Sequence, residues 1–290
     1  MKRILLTGAT GQVGYELERS LQGLGEIIAV DRSRMDLANL DQVREVIRAV
    51  KPTLIINPAA YTAVDKAESE PDLAMRINGH APAVMAEEAR KLGAALIHYS
   101  TDYVFDGTKS TAYNEDDITC PVNVYGKTKL VGEQAIQSSG IPHLIFRTSW
   151  VYGMRGKNFL LTIRRLAQER DQLSIVADQH GAPTWCRTIA DTTAHIIAQG
   201  SRSNDSLNAW HELSGLYHLS AQGQTTWHGF AEAILAHPSV TKKPALHAIT
   251  GDEYPMPARR PKNSILSSDR LIATFFDLPK WDAALKLCQN

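Results

Sequence analysis

Short apolar runs rich in Ile, Val and Leu recur along the chain at intervals that a helix would fill: RILLT (3–7), IIAV (27–30), LIIN (54–57), ALIHYST (95–101), LIFRTS (144–149) and LSIVA (173–177). Hydrophobicity that is continuous rather than alternating predicts strands buried on both faces, as in a parallel sheet. Between the runs, QVGYELERSLQGL sets Val13, Leu17, Leu21 and Leu24 on one helical stripe, and LDQVREVIRAV does the same with Leu40, Val43, Val46, Ile47 and Val50. Strand and helix in alternation predict an α/β fold around a doubly wound parallel sheet. After about residue 150 the rhythm loosens into GAPTW (181–185), WHELSGLYHLS (210–220) and YPMPARRPKNS (254–264), which predict a smaller α/β unit. SRSNDSLNAW (201–210) is polar and turn-rich and reads as an exposed loop.

Composition narrows this picture mainly by exclusion. The 290 residues are 43% hydrophobic and 21% charged, room for one large or two modest domains. Lys+Arg and Asp+Glu both number 31, so no global field points to nucleic acid or an anionic membrane. The opening MKRILLTG has a basic start, but its apolar run stops at Gly8, and no stretch has the apolar length of a membrane span, so a cytoplasmic protein is expected. Cys120, Cys186 and Cys288 show no pairing or metal-ligand spacing, and the ten histidines no HExxH pattern, His98 and His195 reading as packed side chains.

Candidate chemistry begins at TGATGQVG (7–14), where Gly8, Gly11 and Gly14 close the first strand and open the first helix. Such a turn admits no Cβ, lets the backbone approach a pyrophosphate and aims helix N–H groups at anionic oxygens. With the strand–helix order this predicts a Rossmann-type dinucleotide-binding domain over 1–150, to which segments near 173–178 and 187–200 return. Residues 151–290 are then mainly a substrate-binding domain. Gln12 and Val13 lie within the turn. Asp31 ends the second strand, where a carboxylate can hold the adenosine ribose of NAD, but the adjacent Arg32 suits the 2′-phosphate of NADP, so NADH and NADPH both stay admissible. Asp36 and Leu37 can line the adenine, and Asn57-Pro58-Ala59-Ala60 reaches the same sheet edge.

NVYGKTKLVGE (123–133) places Tyr125 and Lys129 four residues apart, on one face of a helix predicted over 124–138. A phenol titrates near 10 and needs tuning. A lysine within about 4–6 Å, together with an oxidised nicotinamide, would lower it by roughly three units. YSTDYVFDG (99–107) delivers Ser100, Thr101 and Asp102 to the same edge, where a hydroxyl can bond a substrate carbonyl and share its proton with Tyr125.

The Gly8-x-x-Gly11-x-x-Gly14 and Tyr125-x-x-x-Lys129 motifs resemble those of the extended short-chain dehydrogenase/reductases. HYSTDYVFDG, PVNVYGKTKLVGE, FRTSWVYG, DQHGAPT and PARRPKNS are similar to the dTDP-4-dehydrorhamnose reductase family, over nearly the whole chain. The resemblance implies a Thr101–Tyr125–Lys129 triad and NADPH- or NADH-dependent reduction at C4 of dTDP-4-dehydro-L-rhamnose to dTDP-L-rhamnose, a precursor of lipopolysaccharide or other cell-surface polysaccharide. It implies cofactor contacts from Gly11, Gln12, Val13, Asp31, Asp36, Leu37, Ala60, Tyr61, Thr62, Tyr125 and Lys129. For the sugar nucleotide it implies Thr101, Asp102 and Trp150, the indole covering the hexose with its face. Arg259 and Arg260, in a proline-framed loop, could clamp a diphosphate in the manner of arginine forks. Some members use Mg²⁺ at a homodimer contact, where Glu16 matches one carboxylate; Arg187 stands where another is wanted.

Rivals share parts of this pattern. Dehydratases of the superfamily carry Thr-Asp-Glu where this chain has Thr101-Asp102-Tyr103, so the paired acid and base for eliminating water are lacking. An epimerase or another NDP-sugar reductase fits the motifs less closely. An NADP-binding regulatory subunit resembling that of methionine adenosyltransferase would co-purify with a partner enzyme and reduce no sugar nucleotide.

Overall fold

A computed structural model describes residues 2–200 and 206–290. The strands are β1 (Arg3–Leu6), β2 (Glu26–Ala29), β3 (Leu54–Asn57), β4 (Ala95–Thr101), β5 (His143–Thr148), β6 (Val151–Tyr152), β7 (Gln172–Val176), β8 (His180–Gly181), β9 (Thr184–Trp185), β10 (Gly215–His218), β11 (Thr225–Thr226) and β12 (Ala245–Ile249). The helices are α1 (Gln12–Ser20), α2 (Leu40–Val50), α3 (Val64–Ala67), α4 (Pro71–Met75), α5 (Ala81–Leu92), α6 (Val124–Ser138), α7 (Phe159–Glu169), α8 (Cys186–Gly200), α9 (Ser206–Leu213), α10 (Trp227–Ala236), α11 (Asp269–Thr274) and α12 (Trp281–Gln289). A π-helical turn, Arg76–His80, joins α4 to α5.

The main sheet is parallel throughout, in the order β10-β5-β4-β3-β1-β2. Because successive side chains leave a strand on opposite faces, β1 sends Ile4 and Leu6 into one core and Leu5 into the other. The first core is closed by Leu17 and Leu21 from the α1 side and by Ile189 and Ile196 of α8. The second is closed by Val43 and Ile47 of α2 and Val84 and Met85 of α5. Helices thus cover both faces, the doubly wound α/β arrangement expected from the sequence.

Two boundary expectations are corrected. The run LSIVA (173–177) does not return to the main sheet: β7 pairs with β12 in a separate two-stranded sheet. Its Ile175 packs beside a third core of Tyr152, Leu160, Phe230 and Ile234 and its Leu173 is buried, while the polar Gln172 and Ser174 are exposed. The sixth strand of the main sheet is instead β10, inside the segment WHELSGLYHLS. Only four residues long and opening on glycine, it carries no helix-or-strand period of its own. The α8 segment does pack on the main sheet. The stretch read as an exposed loop is helical from Ser206 as α9, and residues 201–205 lie outside the described residues. Among the described residues no helix is long and apolar enough to cross a membrane.

Candidate active site

The carboxyl edge of the sheet opens into a cleft of about 600 Å³. Gly8 follows β1 with a left-handed backbone (φ 58°), where a Cβ would sit 3.0 Å from that of Ala59. Gly11 N donates to Gly8 O at 2.9 Å and caps α1 without a side-chain acceptor, leaving N–H groups of the first turn for a ligand. Gly8, Gly11, Gln12, Val13 and Gly14 form one wall. Asp31, Arg32, Asp36 and Leu37 after β2 form a second, and Ala60, Tyr61 and Thr62 after β3 a third. Tyr125 and Lys129 close the inner end. In the same wall Ser100 Oγ and Thr148 Oγ1 are buried without a hydrogen-bond partner. A cradle that excludes Cβ atoms, free helix N–H groups and unpaired hydroxyls fit a dinucleotide.

Asp31 differs from its expected part. Its Oδ1 accepts from Ser33 N (2.9 Å), Ser33 Oγ (2.6 Å) and Arg34 N (3.3 Å), and these bonds, led by the Ser33 hydroxyl, hold the carboxyl below its usual range. One oxygen is therefore committed to its own turn. Arg32 stays largely exposed in the cleft wall, loosely paired with Asp36 at 3.4 Å.

At the inner end, Asn123 caps α6 by accepting from Gly126 N (2.8 Å), and its amide donates to Arg259 O (2.8 Å), tying the proline-framed loop to this helix. Tyr125 is hydrogen-bonded to the Thr101 hydroxyl and packs edge-on against Tyr103, centroids 5.9 Å apart. Thr101 donates to Asp102 Oδ1 (2.9 Å), and Ser149 donates to Oδ2 (3.2 Å). Burial pushes the Asp102 carboxyl up to about 6, against the hydroxyls of Ser264, Thr101 and Ser149. Thr101 and Asp102 stand behind Tyr125 rather than in the cleft wall.

The expected lowering of Tyr125 by Lys129 is reversed. Burial drives the phenol up to about 12, opposed by the Thr101 bond and reinforced by the Asp102 carboxylate. Lys129 lines the cleft, but its Nζ bonds Tyr99 O (2.6 Å) and lies 3.1 Å from His98 Nε2. Burial lowers the ammonium to about 8, with Glu133 opposing. Two of its three donors are spent on β4, which helical spacing alone does not reveal.

A second cleft of about 660 Å³ lies between α7, β7 and the 254–260 loop. Its residues include Phe159, Gln179, Trp227 and Arg260. The fork of Arg260 grips Asp65, Nη1 to Oδ1 at 2.9 Å and Nη2 to Oδ2 at 2.7 Å, so it is not free to take a diphosphate in both prongs. Arg259 is exposed. Trp150 is also placed differently than expected. It adopts a left-handed backbone (φ 47°) and stacks on Trp227 at 3.6 Å and 8°, while a Cβ on Gly181 would come 2.5 Å from its ring. The indole face expected to cover a hexose is held by Trp227.

Glu16 sits near the buried thiols of Cys186 and Cys288, which burial pushes up to about 12 with the Glu16 carboxylate adding to the rise. Thiols are soft ligands and magnesium a hard ion. Among the described residues no group of three His, Cys, Asp or Glu side chains of this chain could hold a metal.

Several contributors carry no sequence signal. Asn78, in the π-helical turn, accepts from Tyr61 N (2.8 Å) and donates to Tyr61 O and Thr128 Oγ1 (both 3.1 Å), pinning the third wall to α6. Asp65, His98, Ser149 and Trp227 are likewise brought in by tertiary packing.

The glycine cradle on a doubly wound sheet, with Tyr125 and Lys129 at its inner end, defines a nicotinamide-dependent oxidoreductase of the short-chain dehydrogenase/reductase type. The chain matches the family model described as RmlD substrate binding domain over residues 1–290. It is 48% identical to the dTDP-4-dehydrorhamnose reductase of Burkholderia thailandensis, covering 99% of this chain and 97% of that protein, and 45% identical to that of Escherichia coli K12 with the same coverage. The crystal structure of Bacillus anthracis dTDP-4-dehydrorhamnose reductase in complex with NADP superposes with a TM-score of 0.91 at 36% identity, covering 100% of this chain and 99% of that one. The chain belongs to the dTDP-4-dehydrorhamnose reductase family.

Proposed function

We propose that the protein reduces the C4 keto group of dTDP-4-dehydro-L-rhamnose with NADPH or NADH, giving dTDP-L-rhamnose for cell-surface polysaccharide. The observation that carries this reading is Tyr125, a phenol that keeps its proton near neutrality, hydrogen-bonded to Thr101 at the inner end of a dinucleotide-shaped cleft. The family relatives favour this over the regulatory-subunit alternative.

Residues 1–150, with α8 and β10, form the nucleotide-binding half, and most of 151–290 holds the substrate. The reduced nicotinamide supplies the hydride when bound. The first wall holds the pyrophosphate on the α1 N-terminus, the second the adenosine, and Tyr61 and Thr62 the inner ribose. Tyr125 donates its proton to the C4 oxygen. Thr101 orients that phenol, and Asp102, accepting from Thr101, fixes the direction of the threonine proton. Lys129 offers its one uncommitted donor to the nicotinamide ribose. The sugar nucleotide lies toward the second cleft, with Trp150 and Arg259 beside it. The cytoplasm, where reduced nicotinamide is available, is its site of action, and homodimer formation rests on family resemblance alone.

Loss of reduced-nicotinamide absorbance on adding dTDP-4-dehydro-L-rhamnose, generated in situ, tests the reading; cofactor binding without oxidation would reject it. Cofactor choice gives a sharper expectation. Arg32→Ala should raise KM for NADPH roughly tenfold and leave NADH nearly unchanged, because only the 2′-phosphate meets the guanidinium. An equal change for both cofactors would remove Arg32 from that role.

The Trp150 stack predicts a substrate effect. Trp227→Ala frees the Trp150 indole and should change KM for the sugar nucleotide about three- to tenfold while KM for NADPH holds, since a stacked aromatic pair is worth about 0.5–1.5 kcal/mol. Steady-state kinetics with each substrate varied separately checks it.

A further inference from the structure

Lys129 Nζ has two neighbours on β4, the carbonyl of Tyr99 and the ring of His98. Behind that ring, His98 Nδ1 lies 3.1 Å from the amide of Asn57, whose far end lies 2.7 Å from Thr7 Oγ1. Asn57 and His98 are directly paired across the parallel ladder of β3 and β4, which explains why the side chains meet. The whole row is dry: Thr7, Asn57, His98 and Lys129 are each 1% exposed or less.

The donor count of this row restricts its protons. An ammonium has no lone pair, so His98 Nε2 must accept from Lys129, and the proton of the neutral ring must sit on Nδ1. Burial and the nearby Lys129 charge both hold His98 far below its usual range, so the ring is neutral. The structure places the Asn57 nitrogen toward His98 and its oxygen toward Thr7, an arrangement that satisfies only an uncharged Lys129. Exchanging the two ends of the planar amide, which have the same shape, lets Oδ1 accept from Nδ1–H and Nδ2 donate to Thr7 Oγ1. The ring N–H and the ammonium N–H that face His98 then both have partners, which a dry interior favours, and the Thr7 hydroxyl changes from donor to acceptor.

We propose that His98, oriented by Asn57 and Thr7, is a positioning residue for Lys129. It accepts one N–H while Tyr99 O accepts a second, directing the third position of Nζ into the cofactor cleft. The two fixed protons serve the ammonium and the neutral amine alike, so a change of protonation alters only the cleft-facing position. The inference rests on the reading of Lys129 as part of the reductase site. Other groups facing Lys129 are Tyr125 one turn before it and Glu133 one turn after it, the latter paired with Arg147 of β5 at 2.7 Å.

Protein labelled with ¹³C at lysine Cε, titrated by NMR with Lys129→Met for assignment, tests this without any substrate. The wild-type midpoint is expected near 8. In His98→Leu the ammonium loses an acceptor more than the amine does, so the midpoint should fall by about one to two pH units. His98→Gln, whose amide oxygen can accept in the same place, should restore most of it. NADPH affinity at pH 8 should follow, about tenfold weaker in the leucine variant. A folded leucine variant with an unmoved midpoint overturns the proposal, as does a glutamine variant no better than leucine. If His98→Leu does not fold, His98→Met makes the same comparison. Absence of reductase activity in the wild type counts against the proposed function, and the titration still decides the role of His98.

Discussion

Tyr125→Phe is expected to lower kcat for dTDP-4-dehydro-L-rhamnose by roughly 10²–10⁴ while the Kd for NADPH moves less than about twofold. The two effects separate because the substitution removes one oxygen and little else. The phenyl ring keeps its burial and its edge contact with Tyr103. What disappears is the O–H that Thr101 orients. Since burial holds the phenol up near 12, Tyr125 is protonated across the neutral range and serves reduction as an acid without first recovering a proton. Stopped-flow oxidation of NADPH measures the turnover loss, and fluorescence of the bound reduced nicotinamide measures affinity. A phenylalanine variant with more than a tenth of wild-type turnover would transfer the proton-donor role to another group. The buried Asp102 carboxyl, pushed up to about 6, is the nearest candidate behind Thr101.

How far the sequence carries depends on whether a contact is local or tertiary. The turn at Gly8, Gly11 and Gly14 is legible because its spacing is the constraint: Gly11 and Gly14 crowd Gly8 within a few positions, and only Gly8 against Ala59 reaches across the sheet. The helix through Tyr125 and Lys129 is legible by the same reasoning, and α6 spans the expected residues. The partners of those side chains are not. Lys129 is one turn from Tyr125, yet its ammonium is claimed by His98 and Tyr99, some thirty residues earlier and on the strand beneath. Arg260 is bound by Asp65, and no local pattern could link the two. Burial explains the reversed direction at Tyr125, since desolvation depends on the assembled fold. The swap of β7 for β10 in the main sheet has a similar origin. LSIVA looks more strand-like than GLYH, but pairing partners decide which joins a sheet.

Gly14→Ala is expected to weaken NADPH binding by roughly a hundredfold or more, about 2.7 kcal/mol, and to lower thermal stability as well. A Cβ at Gly14 would fall 2.1 Å from Gly8 O and 2.7 Å from Gly8 C. Those are backbone atoms, not the movable end of a side chain, so the β1–α1 turn itself must open. The turn is also held from outside, since Gly8 lies against Ala59 and Ala9 N donates to Val30 O at 3.2 Å. Relief by shifting therefore disturbs two neighbouring strand ends, and overpacking of this kind costs about 1–3 kcal/mol. Gly11→Ala makes the contrast. Its added Cβ would meet only Gly8 O, at 3.2 Å, a contact eased by a few tenths of an ångström. The melting temperature of Gly11→Ala should thus stay close to wild type while its NADPH affinity falls, because the methyl group intrudes where the backbone approaches the pyrophosphate. Melting curves with and without NADPH, run on both variants, separate the two outcomes. If Gly14→Ala binds NADPH as wild type does, the first turn of α1 is not what holds the pyrophosphate, and the anion site must lie elsewhere along the cleft.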